Sequence, residues 1–83
     1  MNLYLISQSD NNNYDTYNAA VVAAPDESVA RTLKPSDGTV IMDWSEFDLF
    51  TWVRSPDQVK VKLIGTATPE QKQGLILASF NAG

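Results

Sequence analysis

The sequence predicts an α+β fold: a single small domain over residues 1–83, with a four- to five-stranded, largely antiparallel sheet covered by one helix in the order β-β-α-β-β-β. Three stretches predict it. Ala19 to Ala24 (AAVVAA) is a small, partly β-branched run without charge that stops at Pro25, where Asp26 and Glu27 open a new segment, so a buried strand feeds a helix. Val59 to Ala67 (VKVKLIGTA) begins with a strict two-residue alternation, the pattern of a strand with one solvated face. Leu75 to Phe80 (LILASF) is apolar almost throughout, which places it inside the sheet or in a subunit interface.

Taken in order, Leu3 to Gln8 (LYLISQ) has the aromatic and β-branched content of a first strand. Ser9 to Tyr17 (SDNNNYDTY) is a polar loop, because Asn, Asp and Ser side chains bond their own backbone and favour turns. If the strands on either side are neighbours, this loop closes a wide hairpin onto Asn18 to Ala24. A helix of about ten residues then starts at Pro25, with Asp26 and Glu27 at the positive end of its dipole and Arg31 and Lys34 at the other. Val29, Ala30 and Leu33 share its apolar face, and Pro35 ends it. Pro35-Ser36-Asp37-Gly38 is a turn, Thr39 to Met42 a short strand, and Asp48 to Arg54 a further strand after an irregular or one-turn stretch to Phe47. Ser55-Pro56-Asp57-Gln58 is a second turn, and Thr68 to Gly74 links the last two strands.

Composition removes several kinds of chemistry. There is no Cys and no His among the 83 residues, so disulfides, thiolate metal sites and the commonest general base are absent. The seven serines therefore have no imidazole partner, and the four glycines stand singly rather than in a phosphate-binding loop. Net charge is −4, and nine of the ten acids precede residue 60 with only three basic groups beside them. Without a run of Lys and Arg, direct DNA or RNA binding is not expected. The N-terminus lacks a basic segment before its apolar run, so neither a secretory leader nor a membrane span is expected.

What remains is surface. The loop Asp10 to Asp15 is rich in oxygen donors, but its spacing lacks the glycine and closing glutamate of a calcium loop, and no metal or other cofactor is expected. Asp43, Glu46 and Asp48 lie among Trp44, Phe47 and Trp52; the simplest reading is core aromatics with surface acids between them, and no enzyme is expected. Large aromatics beside an arginine are also the composition of binding hot spots. The candidate partner- or ligand-binding residues are accordingly Tyr14, Tyr17, Trp44, Trp52 and Arg54, with Trp44 and Trp52 in the core as the competing assignment.

Three blocks resemble a known group of sequences: YDTYNAAVVAA at Tyr14 to Ala24, SPDQVKVKLIGTA at Ser55 to Ala67 and GLILASFNAG at Gly74 to Gly83. They are similar to small uncharacterised proteins encoded by tailed phages and prophages, and Gly38 to Phe50 resembles that group least. The resemblance implies a mobile-element origin and a bacterial host cytoplasm, and it supplies no catalytic residues. The expected function is a non-catalytic phage or prophage accessory protein that binds and blocks a host factor, for instance one of host defence. Two alternatives stand beside it: a homo-oligomeric sponge holding a small nucleotide-like ligand, with Arg31, Lys34 or Arg54 meeting phosphate, and a structural accessory of the virion. Self-association through the apolar strand Leu75 to Phe80 is compatible with each.

Overall fold

The computed structural model describes residues 1–10, 15–44 and 51–81. Its centre is the predicted hairpin: β1 (Asn2–Ser7) pairs antiparallel with β2 (Thr16–Ala24). β3 (Lys60–Thr66) adds to the free side of β1, and β4 (Gly74–Asn81) to the free side of β2. The result is a four-stranded antiparallel sheet in the order β3-β1-β2-β4. Consecutive strands β3 and β4 thus occupy opposite edges, so the link 67–73 must cross two strands, a span of roughly 14 Å that seven residues reach easily. It begins where the amide of Ala67 donates to the carbonyl of Met1 at 2.9 Å.

A short helix and irregular chain cover one face of this sheet. The helix α1 (Glu27–Ala30) has one turn rather than the expected ten residues. It starts as predicted: Asp26 is extended, and its carboxylate accepts from the amide of Val29 at 2.9 Å. It stops early because the chain tightens, with Thr32 and Leu33 donating to carbonyls three residues back, and the Thr32 hydroxyl also bonding Val29 O at 2.7 Å. Pro35 then disfavours helix at Lys34, and the chain folds back so that Leu33 bridges Val40. That bridge is all that forms of the strand expected at 39–42. Of the strand expected at 48–54, residues 48–50 lie outside the described residues, and Thr51–Arg54 are not extended sheet. The turn at 55–58 is present as one turn of 3-10 helix, Pro56–Gln58, whose Gln58 side-chain oxygen accepts from the amides of Arg54 and Ser55.

The core lies between this layer and the sheet. Tyr4, Ile6, Ala20, Val22 and Ala24 supply the sheet side; Ala30, Leu33, Ile41, Trp52, Val53 and Val59 supply the cover. Irregular chain holds its place through few but well-directed polar contacts. The Arg31 guanidinium donates to the carbonyls of Val59 at 2.6 Å and Pro56 at 3.3 Å and pairs with Glu27 at 3.1 Å, tying α1 to the entry of β3. Gly38, at φ 78, sits where any Cβ would run into the backbone of Gly74 and Leu75, so the loop seals closely onto β4.

Candidate functional site

The structure disperses the residues singled out from the sequence. Tyr14 lies outside the described residues. Tyr17 is half-buried against the core and meets Phe80 edge to face, with ring centroids 4.7 Å apart. Trp44 is also half-buried against the core. Trp52 is 0% exposed and is the largest fully buried side chain, so it belongs to the core and offers no contact surface. Trp52 therefore serves packing, and Trp44 packs partly buried against the same core. Arg54 is exposed. Arg31, a candidate phosphate contact, is committed to Val59, Pro56 and Glu27. Among the described residues, no group of three or more acidic, His or Cys side chains is placed to hold a metal.

A different surface is built where sequence reasoning did not look. Side chains alternate along each strand, and cross-strand partners point to the same face. The registry therefore sorts the second face of the sheet into rows. One row is Lys62–Leu5–Val21–Leu77; the next is Lys60–Ser7–Ala19–Ser79; the third is Gly65–Leu3–Ala23–Gly74. None of these residues belongs to the core cluster or packs against it. Ala23 is 0% exposed yet absent from that cluster. The glycines probe this face directly: a Cβ at Gly74 would meet nothing within 4 Å, and one at Gly65 only Leu3 Cδ1 at 3.9 Å. The rows through Leu5 and Ser7 take no part in the core.

This open face is apolar in the middle and cationic along one side. Leu3, Leu5 and Val21 are half-buried by their neighbours, while Leu77 stands 68% exposed. Register shifts leave Ile64 on β3 and Ile76 on β4 as unpaired bulge residues, both substantially exposed. Lys60 and Lys62 are exposed at the β3 side, and the Lys60 ammonium donates to the Ser9 hydroxyl at 3.2 Å. These lysines are the only charged residues in the four strands. The acids Asp26, Glu27, Asp37, Asp43 and Asp57 all lie in the segment that covers the opposite face. Four strands about 4.8 Å apart give the open face an area on the order of 300–400 Å², the size at which an apolar patch on a small protein commonly marks an interaction site.

The sequence did contain a signal for this face. β1, β2 and β4 carry apolar residues on both faces, as Leu5 beside Ile6 and Val21 beside Val22 illustrate, and such strands need two covering layers. Among the described residues one such layer is present. No protein-family model, curated protein or solved structure matches the chain. Among the described residues, no helix is long and apolar enough to cross a membrane.

Proposed function

We infer that the chain is a non-catalytic binding protein of phage or prophage origin, which captures a host protein in the bacterial cytoplasm through the open face of its sheet. The observation that carries this reading is the row Lys62–Leu5–Val21–Leu77, apolar across three strands, ended by a cation and covered by no described residue. A flat apolar patch is driven to bury itself, and lysines at its side select a partner with carboxylates around an apolar stripe. The net charge of −4 works against extended anionic surfaces such as nucleic acid, which meet the field of the whole molecule. A short acidic segment laid on the face meets the lysines locally. Blocking a host factor follows from occupying its own contact surface, with no bond made or broken. Capture of a nucleotide-like ligand ranks behind it, since Trp52 is buried and Arg31 is engaged, which removes one base-stacking and one phosphate-binding candidate.

The test compares tagged wild type with the double variant Lys60→Glu, Lys62→Glu in pull-downs from host cells. A host protein retained by the wild type should be lost with the double variant, whose far-UV circular dichroism should match the wild type. Retention by the double variant, with loss on Trp44→Ala instead, would move the binding surface to the covering layer and refute this reading.

A further inference from the structure

The two edges of the sheet are built differently. β3 carries Lys60 and Lys62, both exposed, together with a bulge at Ile64, and lysines and bulges are the devices by which edge strands resist pairing with other chains. β4 runs for eight residues, GLILASFN, with no charge and no proline. Among the described residues its backbone hydrogen-bonds only to β2, and the covering loop meets it at its start, where Gly38 lies against Gly74 and Leu75. Ile76, Leu77 and Phe80 on it are 44%, 68% and 44% exposed. With the strand's outer backbone, these side chains offer on the order of 500 Å² per copy, or roughly 1,000 Å² for a pair, at the lower bound of a specific interface.

We propose that β4 pairs antiparallel with β4 of a second copy, across a twofold axis perpendicular to the sheet, to give a continuous eight-stranded sheet. The contact is isologous, so the strand must tolerate itself, and a strand with no charge meets no like charge in its mate although each chain is acidic. Self-pairing at β3 would instead bring the lysines of two copies together. Register follows from the pleat. Leu77 and Ser79 point to the open face and Ala78 to the cover side, so partners match only where the axis passes through a residue lying opposite its own copy. Leu77 is the most exposed residue of the strand, and setting Leu77 against its symmetry mate buries both in one cross-strand pair. The two open faces then lie side by side on one surface. This assembly shares Leu77 with the open face and leaves Lys62, Leu5 and Val21 of that row clear, so its test by mass does not depend on which host protein the face engages.

The chain has no cysteine, so introduced thiols report one contact at a time. Sedimentation equilibrium of the full chain should give twice the 9.1 kDa chain mass, and Leu77→Lys should return it to 9.1 kDa with an unchanged circular dichroism spectrum. If Leu77→Lys loses its fold, Leu77→Ser serves the same comparison. Under mild oxidation the Leu77→Cys variant should form a disulfide-linked dimer in native buffer and lose that preference in denaturant. Lys62→Cys, on the same face at the other edge, should not. A wild type that stays monomeric at every concentration overturns the proposal, as does Lys62→Cys crosslinking as fast as Leu77→Cys.

Discussion

The two faces of this sheet carry nearly the same kinds of side chain and meet opposite fates. Tyr4, Ile6, Ala20 and Val22 lie under a lid of irregular chain; Leu3, Leu5, Ala19 and Val21, one residue along on the same strands, have no described residue over them. Apolar character alone therefore does not determine burial. What differs is the supply of covering chain: the described residues of 25–44 and 51–59 go to one face, and Arg31, Asp26 and Gly38 fasten them there. Among the described residues the covering chain packs on one face, and the second apolar face takes no part in the core.

The sharpest way to break the comparison is to truncate neighbours on β1. Ile6→Ala should cost about 2–5 kcal/mol, because a fully buried side chain leaves a cavity in the core. Leu5→Ala, adjacent but on the open face, should cost about 1 kcal/mol or less, since its surroundings are already partly solvent. Urea denaturation of both variants measures the difference. Equal losses would mean that the open face is covered in solution.

Glycines give a second contrast of smaller size. Gly38→Ala forces a Cβ into the Leu75 backbone at φ 78, and both steric overlap and backbone strain oppose it; a loss of about 2–3 kcal/mol is expected. Gly65→Ala places its methyl in ordinary contact with Leu3 on the open side and should change stability by under about 0.5 kcal/mol. Thermal unfolding of the pair reads both effects. A Gly65→Ala variant as damaged as Gly38→Ala would show that something lies over the third row.

The sheet was legible in the sequence and its lid was not. Strands showed through alternation and through the uncharged runs at 19–24 and 75–80, signals that rest on local side-chain chemistry. Segment 31–44 instead takes its shape from distant contacts, such as Arg31 reaching Val59 and Gly38 meeting β4, and periodicity carries no trace of those. The same reasoning explains Trp52. An aromatic beside Arg54 has the composition of an exposed anchor, and only the assembled layer reveals that it plugs the core. Strand order was likewise hidden, because nothing in β3 or β4 states which side of the hairpin it joins.

Acid sharpens the comparison further, with the smallest expected effect. Asp37 lies in the covering segment, where the backbone amide and then the hydroxyl of Thr39 donate to its carboxylate, and nearby Lys34 adds a weaker attraction. These interactions hold its carboxyl below the ordinary carboxylate range, against a slight opposing push from burial. A carboxyl whose folded pKa is depressed stabilises the fold above its unfolded pKa, near 3.8, and that contribution disappears as pH falls through the folded value. Asp37→Asn keeps an acceptor oxygen but not the charge, so it should be less stable than wild type at pH 7 by under about 1 kcal/mol. The gap should close as pH drops below 3.8, with both proteins converging in urea titrations. The open face contributes nothing to this acid limb, because none of its rows contains a carboxylate. A gap that persists undiminished in acid would assign the effect of Asp37 to shape rather than charge, and the turn at Gly38 would then hold the lid without electrostatic help.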